Sequence, residues 1–382
     1  MPEMPPARSA WARGRACSED SRVATARMRA ARMRFKTGTG TLMRQESTNP
    51  RRRQCWSSMS NRPVRWGFLS TAAIAASALV PAVRASRNGV LHSVASRDAA
   101  KAREFAATHG FARSHDSYEA LLADPEVEAV YIPLPNSMHA PWSLKAADAG
   151  KAVLCEKPLA VDAAEARRVT AYFQERGILL GEAFMFRYHP LTRKALALLR
   201  EGRIGTLQAV RSSFFAVEGK AATDIRFSAE LAGGALRDLG CYCAAIIRMA
   251  AGEEPSEVRG VVQPMAGGVD ARASGALKFP SGVVADFACG FGTPFSASYE
   301  FIGSTGRLLV DQGAMVAWPG TAFPIKLWTK EGCEEITTPP ANHYQLMVED
   351  FGEALRGGRA LEFPADGAAA NLEVLDRVRA GG

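Results

Sequence analysis

The chain has 382 residues, 47% apolar and 23% charged, a composition of soluble globular proteins with length enough for two hydrophobic cores. Its net charge of +8 sits at one end: residues 1–62 hold 14 Lys and Arg against 4 Asp and Glu, and the remainder holds 33 against 35. A near-neutral body argues against nucleic acid as a partner, and seven irregularly spaced Cys with no CxxC pair argue against a disulfide framework or a metal site.

Residues 1–62 are rich in Arg, Ser, Thr and Pro, lack apolar periodicity, and read as a disordered basic tail. Two origins stay open for it: an Arg-rich, acid-poor targeting segment, or sequence upstream of a true start at Met59. Trp66–Val83 then carries no charge over 18 residues, the length of a membrane span or signal core. The competing reading is a buried strand at Val64–Leu69, a tight turn at Ser70–Ala72 and a small-residue helix from Ala73. The downstream pattern favours this second reading, and with it a cytoplasmic protein that has no membrane partner.

Next come a strand at Val90–Ala95, a helix at Ala99–His109 ended by Gly110, and a short helix at Tyr118–Ala123 closed by Asp124-Pro125. A strand at Val127–Ile132, a helix at Trp142–Ala149 and a strand at Ala152–Cys155 follow. A helix at Ala163–Glu175, ended by Gly177, leads to a strand that begins at Ile178–Leu180. Strands alternating with helices imply βαβ units, so residues 63–184 are expected to form an α/β, doubly wound parallel sheet of Rossmann type. Ligands of such sheets sit at the carboxyl ends of the strands.

The first strand-to-helix turn, where G-x-G-x-x-G/A is expected, reads Ser70-Thr71-Ala72-Ala73-Ile74-Ala75, and only Ala75 fits. Small side chains still permit close backbone approach, the helix start offers N–H groups, and the Ser70 and Thr71 hydroxyls can donate to phosphate. Ser70, Thr71, Ala72 and Ile74 are therefore candidate dinucleotide contacts. The second strand ends in Ser96-Arg97, with Lys101 one turn later, where an Asp or Glu would select NAD. A hydroxyl and two cations suit a 2′-phosphate, which favours NADP and leaves NAD possible.

Beyond Tyr188 the pattern changes. A helix at Leu191–Glu201 precedes strands at Leu207–Ala216, Val258–Gln263, Ala273–Phe279, Val283–Gly290, Ser298–Ile302, Arg307–Asp311, Ala314–Trp318 and Ile325–Thr329. Residues 185–382 are expected to be an α+β domain with a large, mostly antiparallel sheet. A helix beginning at Gly233-Gly234 places Asp238 and Tyr242 at i and i+4, on one face. A final helix, Tyr344–Leu355, led by His343, is expected to cover the cleft.

Three segments carry a family likeness: Tyr131-Ile132-Pro133-Leu134-Pro135-Asn136-Ser137-Met138-His139, Cys155-Glu156-Lys157-Pro158-Leu159, and the run from Gly181 through Arg187 to Pro190. From Val64 to its C-terminus the chain resembles the glucose–fructose oxidoreductase / inositol dehydrogenase / rhizopine catabolism (Gfo/Idh/MocA) family, in the branch of aldose and trans-dihydrodiol dehydrogenases. The resemblance implies that Lys157 lies beside a nicotinamide and the reacting hydroxyl. It places Asn136 and His139 at the border of the nicotinamide and its ribose, and Asp238 and Tyr242 with Lys157 on the substrate side. By their position in the chain, Pro133, Leu134, Glu156 and Arg187 are further candidates for the cofactor side, Arg226 for contact with substrate or phosphate, and His343 for contact with substrate. Tyr242 is then the proton carrier, with Lys157 favouring its phenolate, and Asp238 orients the substrate.

The resulting expectation is an oxidoreductase, NADP favoured, that moves hydride to or from a hydroxyl-bearing carbon of an aldose or a cyclic trans-diol. The free face of the second sheet is expected to pair subunits into a homodimer or homotetramer. The degenerate glycine turn motivates a different class, a catalytically silent NADP-binding regulator.

Overall fold

The computed structural model describes residues 62–220 and 223–381, all within one compact unit. The readings placed on residues 1–61, including the start at Met59, lie outside the described residues.

The first sheet contains β1 (Val64–Leu69), β2 (Gly89–Ala95), β3 (Arg113–His115), β4 (Ala129–Ile132), β5 (Ala152–Cys155) and β6 (Leu180–Glu182). Its order is β3-β2-β1-β4-β5-β6, and every pairing is parallel. Helices cover both faces, so the central strands are buried on both sides and read as continuous apolar runs. In β1, Val64, Trp66, Phe68 and Leu69 are all within 1% of full burial. The uncharged stretch from Trp66 is thus an interior strand followed by helical residues 75–85, and among the described residues no helix is long and apolar enough to cross a membrane. Strand order reverses between β1 and β4. The turn after β1 and the loops after β4 and β5 therefore meet at one carboxyl edge, where such sheets hold ligands.

Two details depart from expectation. β3 was not predicted; it is a three-residue edge strand too short to show a pattern. The helix predicted from Trp142 begins at Asn136 and contains Pro141. The proline forfeits one internal hydrogen bond. Meanwhile the N–H groups of Ser137 and Met138 are taken by the carbonyls of Leu231 and Pro135, which secures the first turn.

The second sheet contains β7 (Leu207–Val217), β8 (Glu257–Pro264), β9 (Asp270–Lys278), β10 (Val284–Thr293), β11 (Ser296–Gly303), β12 (Gly306–Val310), β13 (Pro324–Thr329) and β14 (Gly332–Thr337). Their order is β14-β13-β12-β11-β7-β10-β9-β8, antiparallel throughout except where β7 pairs with β10. Alternate residues such as Val210, Phe214, Phe287 and Tyr299 face helices Cys241–Ala251 and Ala368–Arg379 and are buried. Arg211, Asp286, Val261 and Val284 project from the other, open face.

The strand predicted at Ala314–Trp318 does not form. Ala314, Met315 and Ala317 are buried, but as irregular chain without a ladder. Burial without pairing gives the same apolar sequence as a strand. β14 was not expected, because it is an exposed edge strand with no apolar alternation. The helix at His343–Gly357 is not the last; Ala368–Arg379 follows it. His343–Gly357 returns to the first sheet's layer, where Glu349 pairs with Arg87 and Arg356 with Glu128.

Candidate active site

Lys157 stands in the loop after β5, at the carboxyl edge of the parallel sheet. Asp238 lies in the helical turn Leu236–Gly240 that runs into Cys241–Ala251. The Lys157 ammonium donates to Asp238 Oδ1 and to the Asp238 backbone carbonyl, each at 2.8 Å. The other carboxylate oxygen, Oδ2, accepts from Arg226 Nε at 2.8 Å, and Arg226 Nη1 in turn donates to Asp224 Oδ1 at 3.0 Å. Four charges thus alternate in a closed row: Lys157, Asp238, Arg226, Asp224. Burial works against the Lys157 charge, but Asp238, with Cys241 and Glu156 behind it, more than offsets this and leaves the ammonium above its ordinary pKa. Burial likewise works against the Asp238 carboxylate, and Lys157 and Arg226 outweigh it, so Asp238 lies below the usual range.

Tyr242 joins this group by its ring. Lys157 Nζ is 5.0 Å from the ring centroid, a cation over an aromatic face. The ring packs edge-on against Phe184 and Phe214 and tilted against Phe186, and its hydroxyl donates to Met185 Sδ at 3.5 Å. Burial pushes the phenol well above its ordinary value. This reverses the expected depression by Lys157, because the ammonium meets the ring face while apolar neighbours enclose the phenol. Tyr242 is a protonated phenol held by a weak sulfur acceptor.

Other predicted residues hold the site together instead of lining it. Both ring nitrogens of His139 face carbonyls, Nδ1 that of Pro158 and Nε2 that of Leu134, each at 2.7 Å. His139 is 1% exposed and has no edge left for a nicotinamide or its ribose; it ties the loop after β4 to the loop after β5. Pro133 and Leu134 are themselves buried in that loop. Asn136 Nδ2 donates to the Ala232 carbonyl at 2.9 Å, which joins the parallel-sheet layer to the chain just before Gly233. Glu156 accepts from the Tyr131 hydroxyl at 2.6 Å, and burial raises its pKa. Arg187 is buried, its guanidinium 4.4 Å over the Phe184 ring. His343 is enclosed between His189 and Tyr344, and burial lowers its pKa to about 3. It is neutral and 1% exposed, so the expected substrate contact fails.

On the dinucleotide side, Ser70 has a φ of 141°, a conformation that favours glycine, at the place where the first glycine of the pattern is expected. Thr71 and Ala72 are half-buried and Ile74 is exposed. The helix that follows begins at Ala73, behind Ala72, whose methyl group cannot cap it, and first-turn N–H groups have no partner within a helix. Arg97 is exposed and Ser96 nearly buried, with Ser96 Oγ accepting from the Asp98 N–H. Asp98, the one carboxylate at this strand end, is engaged in capping the N–H groups of Ala100 and Lys101. A cleft of about 280 Å³, lined by Thr71, Lys101, Glu104 and Phe105, opens beside the turn. Uncapped N–H groups flanked by Arg97 and Lys101, the latter 3.8 Å from Asp98, fit a dinucleotide carrying a 2′-phosphate.

Sequence reasoning missed Asp224, which no motif marked. It also missed Met185, Phe184 and Phe186, although all three lie in the quoted Gly181–Pro190 run. Among the described residues no cluster of His, Cys, Asp or Glu is arranged to hold a metal ion.

Comparison with known proteins agrees with this geometry. Residues 64–184 match the model of an oxidoreductase family with an NAD-binding Rossmann fold (GFO/IDH/MocA), and residues 192–309 match a GFO/IDH/MocA C-terminal domain. D-xylose 1-dehydrogenase (NADP(+)) 2 of Haloferax volcanii is 36% identical over 82% of this chain and 95% of its own length. Trans-1,2-dihydrobenzene-1,2-diol dehydrogenase of Bos taurus is 34% identical over 73% of this chain and 81% of its own length. A crystal structure of a 3-ketoreductase from Actinomadura kijaniata, in complex with NADP and TDP-benzene, superposes with a TM-score of 0.79. It is 31% identical over 84% of this chain and 98% of that chain. The two sheets, the alternating charges between them and these relatives make the chain a member of the Gfo/Idh/MocA oxidoreductase family.

Proposed function

We propose that this protein is an NADP-dependent oxidoreductase acting on a hydroxyl-bearing or carbonyl carbon of a sugar-like substrate, with an aldose first and a cyclic trans-diol second. The observation that carries the reading is the Lys157 ammonium. Of its three hydrogens two are committed to Asp238, which leaves one for a substrate oxygen beside the Tyr242 ring. The relatives that support the substrate class are a xylose dehydrogenase, dihydrodiol dehydrogenases and a sugar ketoreductase.

The bound nicotinamide would supply the hydride chemistry. Ser70, Thr71, Ala72 and Ile74 would hold its pyrophosphate by backbone and hydroxyl groups, and Arg97, Lys101 and Ser96 its 2′-phosphate. Lys157 stabilises negative charge that develops on the substrate oxygen. In reduction Tyr242, protonated and released from its sulfur acceptor, delivers a proton to that oxygen and is left as a phenolate that solvent reprotonates; oxidation runs the same transfer backwards and starts from the phenolate. Solved variants of the Actinomadura ketoreductase replace a lysine and a tyrosine spaced along that chain nearly as Lys157 and Tyr242 are here, which supports pairing the two roles.

The open face of the second sheet, with Val261 74% and Val284 51% exposed, is the surface we assign to subunit pairing in a homodimer or homotetramer. Buried free thiols at Cys155, Cys241, Cys243 and Cys289 suit a reducing, cytoplasmic setting. The test is NADPH binding by fluorescence quenching, followed by turnover of a panel of aldoses and cyclic diols. Turnover with NADP and not NAD supports the assignment. Binding without turnover of any substrate replaces it with a silent regulator.

A further inference from the structure

We infer that Arg226 is a positioning residue of this site: it does not touch substrate, but fixes Asp238 so that Asp238 aims the free N–H of Lys157. The inference rests on the oxidoreductase reading above and deepens it. Asp238 has two carboxylate oxygens and two cations, one on each. Lys157 holds Oδ1 and Arg226 Nε holds Oδ2, both at 2.8 Å. A carboxylate pinned at one oxygen only turns about its own bond; pinned at both, it presents Oδ1 at one place. That place and the Asp238 carbonyl are the two fixed points of the Lys157 ammonium, so its third hydrogen has a single direction.

The backbone around Arg226 is built for this task. The Arg226 carbonyl accepts from the Gly234 N–H at 2.9 Å. A Cβ on Gly233 would collide with the same carbonyl oxygen, and one on Gly234, at a φ of 109°, would collide with the Asp270 carboxylate. Ala232, just before, has a φ of 57°, a conformation that L side chains seldom adopt. Gly233 therefore serves Arg226, because a side chain there would not let the chain pass this close to residue 226, while Gly234 is demanded by Asp270 and by its own φ. The side chain is then fixed from the other end: Asp224 accepts both the Arg226 N–H at 3.0 Å and Nη1 at 3.0 Å. Nε and Nη1 are taken by the two carboxylates, while Nη2 makes no hydrogen bond among the described residues, so a direct substrate contact is the alternative that the kinetics below decide. Arg226 is also a charge regulator, since it draws on Asp238 and so limits how tightly Asp238 holds the Lys157 proton. Lys157, Cys241, Glu156 and Tyr242 are the other titratable groups around this carboxylate.

The test compares wild type, Arg226→Gln and Arg226→Lys, each shown to be folded by its thermal transition and by NADPH binding. Arg226→Gln should lower kcat about 100-fold, the scale of loss when a reacting group is misplaced by an ångström, with the KM for NADPH unchanged. Both limbs of its pH–rate profile should move to higher pH, because Asp238 and Lys157 each lose a neighbouring cation. Arg226→Lys keeps the charge and should return the limbs to their wild-type positions while recovering part of kcat. A rise in substrate KM at unchanged kcat would make Arg226 a substrate ligand and overturn the inference, as would wild-type kinetics in Arg226→Gln. If the wild-type chain turns over no substrate at all, the oxidoreductase reading fails separately. The clamp is then judged from the Asp238 carboxyl carbon followed by NMR through an acid titration. An Asp238 midpoint that rises on Arg226→Gln upholds it, and an unchanged midpoint overturns it.

Discussion

The two halves of the cleft are made in opposite ways. Around Lys157 the structure is finished before any ligand arrives: Lys157, Asp238, Arg226 and Asp224 alternate in sign and satisfy one another. Around Ser70 it is open, with an uncapped helix start, exposed Ile74 and Arg97, and a backbone conformation that favours glycine. One half relies on side-chain charge placed in advance, which is what transition-state stabilisation requires. The other relies on backbone N–H groups, which almost any small residue can supply. The half built on side-chain charge therefore depends on particular residue types, while the turn after the first strand can carry Ser and Ala where glycines are expected.

The sharpest way to break this contrast is at Lys157. Lys157→Ala should cost about 100- to 1000-fold in kcat, the effect of removing one donor aimed at a developing oxyanion. NADPH affinity should persist, because the dinucleotide half does not depend on the charge row. Asp238 keeps Arg226 as partner, so the variant should fold. Loss of NADPH binding together with activity would show that the two halves are not separate devices.

Tyr242→Phe comes next and separates the ring from the hydroxyl. The ring supports the Lys157 ammonium and packs with Phe184, Phe186 and Phe214, and phenylalanine keeps all of that. Only the hydroxyl and its contact with Met185 Sδ are lost. If the phenol carries the proton, kcat should fall about 100-fold with the melting temperature nearly unchanged. Retained activity would reassign proton transfer to Lys157 and leave Tyr242 as a packing residue.

On the open half, Arg97→Ala should raise the KM for NADPH about 10-fold, the worth of one charge-assisted phosphate contact, and leave NADH unaffected. Equal effects on the two cofactors would place Arg97 outside the 2′-phosphate site.

The same contrast explains what the sequence made legible. Interior strands whose apolar residues are all buried, Val64–Leu69 and Ala152–Cys155, are legible with their observed limits, and so is the helix Tyr118–Ala123, capped by Ser117. Gly332–Thr337 left no trace because an exposed edge strand needs no apolar alternation, and Ala314–Trp318 looked like a strand because burial alone selects the same residues. Lys157, Asp238 and Tyr242 stood out as motif residues. Their mutual orientation did not: that Lys157 meets the ring of Tyr242 and not its oxygen follows from Phe184, Phe186 and Met185 packing beneath, a tertiary fact. His139, Arg187 and His343 carried the same polar signal as site residues, yet all three are buried, and His139 ties two loops together. Residue type reports what chemistry is possible, and only packing decides which polar groups keep a face toward ligand.

The smallest expected effect tests the open half from within. At a φ of 141°, Ser70 occupies a backbone region where a side chain costs about 1–3 kcal/mol. Ser70→Gly relieves that strain but also frees the unfolded chain, which offsets about 0.4–1 kcal/mol of it. The balance is a gain of about 1 kcal/mol, or a rise of a few degrees in melting temperature for a chain of this length. NADPH affinity should hold or tighten, since the N–H groups stay and the turn comes nearer to the glycine pattern. A variant that melts at the wild-type temperature would mean Ser70 is unstrained, and one that loses NADPH affinity would mean its hydroxyl, and not the backbone beneath it, holds the phosphate.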